Sequence, residues 1–218
     1  MTEHAIPPLT ANTLLWAYQQ GAFPMADPST GRVDWYSPDP RGILPLDGFH
    51  VPKNLRKTLR RRQVSIRVDT AFRTVMEACA QPRARERESW ISDRLIDAYV
   101  GLHEMGHAHS VEAWRDGELV GGLYGVRLGG AFFGESMFSR PDRGGTDASK
   151  ICLVYLVQRL RSNGFTLLDT QFSNEHLIQF GCIEIPSRVY AVWLEYALTR
   201  RCTWRSPPPD WMDTGLER

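Results

Sequence analysis

The chain has 218 residues, 42% of them hydrophobic, enough for one full core and a small second lobe. With 26 basic against 25 acidic residues the net charge is +1, which excludes a uniformly basic nucleic-acid coat but not a local basic patch. The four cysteines (Cys79, Cys152, Cys182, Cys202) form no C-x-x-C pair, and no apolar run approaches the ~20 residues that span a bilayer, so neither a zinc ribbon nor a membrane span is expected.

Residues 1–10 show no basic-then-apolar leader pattern, and a soluble, cytoplasmic protein with reduced thiols is the expectation. Thr10 to Gln20 reads as a helix with Leu14, Leu15 and Tyr18 on one face, ended by Gly21. Prolines and aromatics then run from Phe23 to Arg41, suggesting a lobe that packs against something rather than around a core of its own. Helices are expected over 53–62 and 69–79, and another from Ser92 or Asp93 to about Met105. The period then changes. His109–Trp114, Leu119–Val126 and Ala131–Phe138, separated by Asp116-Gly117 and Gly129-Gly130, read as a three-strand meander. Asp147 is expected to cap a helix striped by Leu153, Leu156, Val157 and Leu160 and closed by Gly164. A strand over 165–171, a short helix to Phe180 and a last helix over 187–199 complete an α+β order, compatible with a GNAT-like fold. The expected division is a small N-terminal lobe over 1–46, a catalytic domain over 47–204 and a flexible tail over 205–218.

Several constellations bear on chemistry. His103-Glu104-Met105-Gly106-His107 spells H-E-x-x-H, but Gly106 falls where the helix should end and would swing His107 off the His103 face, so no metal site is expected. Asp169 and Gln171 stand two apart on a strand, which puts both side chains on one face with Cα atoms roughly 6–7 Å apart. Such a pair suits an amine, the carboxylate taking charge or proton while the amide orients it; equally, Asp169 could serve only the following turn. Asn174 is a good N-cap, and capping alone would explain it. Glu135 lies among Phe132, Phe133, Met137 and Phe138, where it needs a cationic partner or a proton, and Gly134 permits a bulge that re-aims it. A structural ion pair with an arginine is the competing reading. Lys53, Arg56, Lys57, Arg60, Arg61, Arg62 and Arg67 carry no acid between them, a patch suited to phosphates or simply a solvated helix face.

Taken in order, these segments resemble the leucyl/phenylalanyl-tRNA–protein transferase family over most of the chain. The resemblance rests on Leu14-Leu-Trp-Ala-Tyr-Gln-Gln-Gly-Ala-Phe-Pro-Met25, Trp35-Tyr-Ser-Pro-Asp-Pro-Arg41, Trp90-Ile91 and Leu102-His-Glu-Met-Gly-His-Ala-His-Ser110. It continues through Gly121-Gly122, Tyr124-Gly125, Phe133-Gly-Glu-Ser-Met-Phe-Ser-Arg140, Ala148-Ser-Lys150, Leu168-Asp-Thr-Gln171, Glu184-Ile-Pro186, Arg188 and Tyr190. It implies a GNAT-like domain fed by aminoacyl-tRNA instead of acyl-CoA, without metal or other cofactor. Position by position it implies that Asp169 and Gln171, with Asn174 nearby, activate the acceptor amine, and that Glu135 supports acceptor binding. It further implies that Met25 and Trp90 hold the terminal adenosine, and that Leu123, Phe132, Leu153, Leu156 and Leu168 line a pocket for an apolar aminoacyl side chain. Some relatives carry tryptophan where this chain has Met25, a softer contact.

The implied reaction moves Leu or Phe, less well Met, from tRNA to the α-amine of proteins beginning with Arg or Lys, feeding N-degron degradation. Two rivals stand beside it. One is an acyl-CoA-dependent N-acetyltransferase with Arg143-Gly144-Gly145-Thr146 as its phosphate loop, and the other a noncatalytic tRNA-binding module.

Overall fold

The structure, a computed structural model, describes residues 9–82, 89–208, 210 and 211. Helix α1 (Ala11–Gln19) starts where the Thr10 hydroxyl accepts the Thr13 amide, and it turns Leu14, Ala17 and Tyr18 inward. The aromatic stretch folds into a hairpin, β1 (Phe23–Ala26) against β2 (Val33–Tyr36). Phe23 and Ala26 join the main hydrophobic cluster, so the lobe leans on the larger domain as its composition suggests. The lobe ends earlier than residue 46, because β3 (Arg41–Ile43) is already a strand of the main sheet.

Helix α2 (Lys53–Arg60) buries Leu55 and Leu59 and stops short of Arg62, which lies at a φ of 48°. The helix expected from residue 69 begins later. Strand β4 (Ser65–Val68) leads into a turn at Asp69 (φ 59°), and α3 is Phe72–Cys79. Long-range bonds decide this: Ser110 gives its amide to Asp69, and Glu112 takes those of Thr70 and Ala71. Helix α4 (Asp93–Glu104) is capped by Ser92. The meander follows as β5 (Ala108–Arg115), β6 (Glu118–Leu128) and β7 (Ala131–Ser139). A 3-10 turn at Pro141–Arg143 leads to α5 (Ala148–Ser162). Asp147 does not cap α5 with its side chain: at φ 60° its carboxylate instead takes Lys150 Nζ at 2.7 Å, while Ser139 Oγ receives the Ser149 amide. The chain closes through β8 (Leu167–Gln171), α6 (Glu175–Ile178), β9 (Ile183–Ile185) and α7 (Ser187–Thr199).

The fold is α+β, with the meander–helix–strand order expected of a GNAT-like domain. Seven strands run β4-β5-β6-β7-β8-β3-β9, antiparallel except for β7 and β8, which α5 connects. One sheet face packs on α1, α3, α4 and α7, the other on α2 and α5, giving two apolar layers. The tail is docked where it is described. Trp204 stacks on His109 and Phe132, and Trp211 is buried edge-on to Tyr155 at 5.0 Å. Residues 209 and 212–218 of the tail lie outside the described residues.

Candidate active site

Parallel pairing of β7 with β8 joins Ala131, Phe132 and Phe133 to Leu167, Leu168 and Asp169, and there it stops. Beyond that point the strands part and a cavity of about 1040 Å³ opens. Gly134 to Ser139 line one side, with Leu168, Thr170, Gln171 and Asn174 on the other. Leu123, Leu153 and Leu156 supply apolar wall, and Trp90 stands at another margin.

Both strands are irregular at the mouth of this opening. On β7, Tyr124 pairs with Ser136 and Gly125 with Gly134, which leaves Glu135 as the extra residue of a bulge and turns it to the cavity. That is the bulge its glycine neighbour permits. On β8, Ile43 pairs with Asp169 and Gly42 with Gln171, so Thr170 is extra. Gln171 lies at φ 60°, which ends strand geometry there. Gly42 must be glycine for this turn to close, because a Cβ would stand 2.5 Å from the Phe172 carbonyl carbon.

The expected common face of Asp169 and Gln171 is therefore corrected. Of the two, only Gln171 reaches the cavity wall, its left-handed backbone having broken the strand alternation. Asp169 is fully buried. Arg41 meets it with a two-pronged ion pair, Nε to Oδ1 at 3.0 Å and Nη2 to Oδ2 at 2.7 Å. Tyr190 donates to Oδ2 at 2.5 Å, and the Gln171 amide donates to Oδ1 at 2.8 Å. Burial acts to lower Arg41's pKa, but the Asp169 carboxylate outweighs it and raises it further. Burial also pushes the Tyr190 phenol up, keeping it a donor.

Among the described residues Glu135 has no such partner. Gln171 Nε2 donates to its Oε1 at 3.0 Å and Tyr99 to its Oε2 at 3.2 Å, and Tyr99 bonds in turn to Tyr18. Burial among these rings lifts the carboxyl to about 8, against weaker lowering by the tyrosine hydrogen bonds. The carboxyl thus holds its proton far above the ordinary carboxylate range.

The other expected residues divide. Asn174 caps α6, accepting the Leu177 amide at 2.9 Å, and also borders the cavity. Trp90 lines the cavity, whereas Met25 does not; the two are linked through the Ala26 amide on the Trp90 carbonyl at 3.1 Å. Leu123, Leu153, Leu156 and Leu168 form wall, but Phe132 does not: fully buried, it lies parallel to Trp204 at 5.5 Å. The basic residues 53–62 sit on and just after α2, away from the cavity lining, with Lys53, Lys57, Arg60, Arg61 and Arg62 exposed. His103 and His107 face Ala108 and Arg127 carbonyls from either side of Gly106 (φ 76°), as befits a helix end. In the loop proposed for a pyrophosphate, the Gly144, Gly145, Ala148 and Ser149 amides are all taken by internal acceptors, which removes the acyl-CoA reading's support.

Arg41, Tyr190, Tyr99 and Tyr18 were not singled out from the sequence as site residues. Arg41 and Tyr190 end two of the resemblance segments, which is their one sequence signal. Asp39 of the same run holds the Ser187 amide and hydroxyl, both at 2.9 Å, and so starts α7 in the register that brings Tyr190 to Asp169.

Residues 43–195 match the family described as leucyl/phenylalanyl-tRNA protein transferase, and residues 8–39 match its N-terminal domain. A leucyl/phenylalanyl-tRNA--protein transferase of Paramagnetospirillum magneticum is 57% identical over 88% of this chain and 90% of its own. One of Salinibacter ruber is 53% identical over 93% of this chain and 83% of its own. Among solved structures, a ribosomal-protein-alanine N-acetyltransferase from Brucella melitensis is similar at 18% identity and TM-score 0.37, covering 53% of this chain and 86% of that one.

Proposed function

The chain belongs to the leucyl/phenylalanyl-tRNA protein transferase family, whose activity is aminoacyl transfer from tRNA to protein N-termini, and from that premise we propose how its cavity performs the transfer. The α-amine of the acceptor attacks the ester carbonyl that joins the amino acid to the 3′ ribose. A C–N bond forms, the C–O bond to ribose breaks, and the proton lost by nitrogen ends on the departing ribose oxygen. The ester is already activated, so alignment does most of the work. Gln171, its Nε2 committed to Glu135, offers its amide oxygen to an N–H of the amine. Leu123, Leu153, Leu156 and Leu168 receive the side chain of Leu, Phe or, less well, Met, with pocket size discriminating by about 1–3 kcal/mol per methylene. Trp90 and, beside it, Met25 hold the terminal adenosine, and the exposed cations of α2 track tRNA phosphates.

The acceptors are cytoplasmic proteins beginning with Arg or Lys, which the added residue marks for N-degron degradation. One observation carries this reading: a single cavity has an amide and an acid at the parting of β7 and β8 and an apolar wall across from them. Because Asp169 is already neutralised by Arg41, Glu135 is the acid that calls for a cationic acceptor. The test is transfer of labelled leucine from charged tRNA to an Arg-initiated peptide. Wild type transfers, and Gln171→Ala lowers kcat roughly a hundredfold with tRNA affinity unchanged. Equal losses in affinity and turnover would assign Gln171 to structure.

A further inference from the structure

We propose that Arg41 is a positioning residue for this transfer: by clamping Asp169 it fixes the backbone turn that presents Gln171 to the acceptor amine. The proposal rests on the reading of Gln171 given above.

The geometry has three parts. Arg41 is 1% exposed and Asp169 0%, so the pair lies out of water altogether. All three guanidinium nitrogens are used: Nε and Nη2 on the two Asp169 oxygens and Nη1 on the Gly21 carbonyl at 2.7 Å. The flat group is enclosed by the rings of Phe23 and Tyr190, 5.1 and 4.5 Å from its carbon. Asp169 cannot then serve the acceptor directly; what it holds is the Gln171 amide, at 2.8 Å. Gln171 is a non-glycine residue in the left-handed region, a conformation that costs about 1 kcal/mol or more and persists only where surroundings impose it.

Stability gives a poor account of such a pair. Buried ion pairs are commonly no better than apolar residues of equal volume, because desolvation cancels the attraction. A lysine would supply one point charge where the fork supplies three directed donors. The placement gives a better account. Arg41 opens β3, the strand that follows the β1–β2 hairpin and enters the main sheet. There it ties the end of α1, the β1 hairpin, the sheet and α7 to one carboxylate. The docked lobe thereby sets the angle of a side chain on the far domain's cavity wall.

The experiment is a double-mutant cycle on the full chain, measuring kcat and both KM values for Arg41→Met, Asp169→Asn and the double variant. Each single change is expected to lower kcat on the order of a hundredfold with little change in KM for charged tRNA, and the double variant is expected to be no slower than either. Losses that multiply, or an Arg41→Met enzyme near wild-type kcat, would overturn the proposal. An Asp169→Asn enzyme at wild-type kcat would overturn it too, whereas the reading of Gln171 itself stands or falls with Gln171→Ala. Should Arg41→Met fail to fold, Tyr190→Phe removes one hydrogen bond of the same clamp. It is then expected to lower kcat about tenfold at unchanged KM, in a variant still folded at the assay temperature, and unchanged kcat would sink the idea.

Discussion

Glu112 on β5 and Glu135 on β7 are both acids of the meander, and the protein treats them in opposite ways. Glu112 is fully buried and receives donors from every side: the Thr70 amide and hydroxyl, the Ala71 amide at 2.8 Å, the Ser110 hydroxyl at 2.8 Å and the Trp114 ring nitrogen at 3.1 Å. It closes the start of α3 onto the sheet. Glu135 has, among the described residues, the Gln171 amide at 3.0 Å and the paired hydroxyls of Tyr99, at 3.2 Å, and Tyr18, with a cavity in front of it. Burial alone does not separate a structural acid from one that awaits a ligand. The tally of committed donors does, because only an under-supplied carboxyl gains from a cation brought by a substrate.

If that distinction holds, the two acids fail differently when removed. Glu112→Ala strands several buried donors at once and is expected to cost about 3–5 kcal/mol, roughly 10 °C in melting temperature for a chain of this size. Glu135→Gln should not lower the melting temperature near neutral pH, since the amide replaces a carboxyl that the folded state holds in its neutral form at a cost. Thermal melts of both variants make the comparison. Equal destabilisation would mean that Glu135, like Glu112, serves the fold.

The same contrast has a kinetic side of smaller size. With Glu135→Gln, kcat/KM for an Arg-initiated peptide should fall by about 1–3 kcal/mol, while a norleucine-initiated peptide hardly changes. A preserved ratio would place the charge selection elsewhere. The pH dependence has a definite sign. The folded carboxyl, at about 8, lies above its ordinary value of 4.5, so the folded state binds the extra proton. Its contribution is fully present below 4.5 and is lost as pH rises toward 8. Wild type should therefore lose melting temperature between pH 5 and 8 relative to Glu135→Gln. A basic peptide should reduce that loss, releasing protons on binding that calorimetry in two buffers of unlike ionisation enthalpy would count.

These differences were only partly visible in the sequence. The meander, α4, α5 and the bounds of α7 were legible because each has many residues in one period and a boundary marked by Gly, Pro or a cap. Strands β3, β4 and β9 were not, since three or four residues carry no period and exist because a neighbour offers an edge. Glu135's bulge could be anticipated from Gly134 beside it. Gln171's turn could not, because what imposes it is a carboxylate whose counter-ion sits 128 residues away. Asp169 looked like an acid in need of a cation for that reason: its cation comes from a strand far away in the sequence. Glu112 went unremarked, because His109, Ser110 and Arg115 on its own strand make an acid there look ordinary.

The cations repeat the contrast at its weakest. Arg41 has every guanidinium nitrogen committed inside the protein, whereas Lys53, Lys57, Arg60 and Arg61 are exposed on and after α2. Leu55 and Leu59 fix that helix from below, so the charged side faces outward as a rigid strip. A strip of this kind gains affinity for a phosphate backbone by releasing counter-ions, and the gain is read as the slope of log affinity against log salt. Changing Arg60, Arg61 and Arg62 together to Gln should flatten that slope by at most about one unit per charge and weaken unlike tRNAs alike, with the melting temperature held. The loss at physiological salt is spread over several contacts, so kcat at saturating tRNA should not move. A slope equal to wild type would return these residues to solvent and leave tRNA binding to the neighbourhood of Trp90.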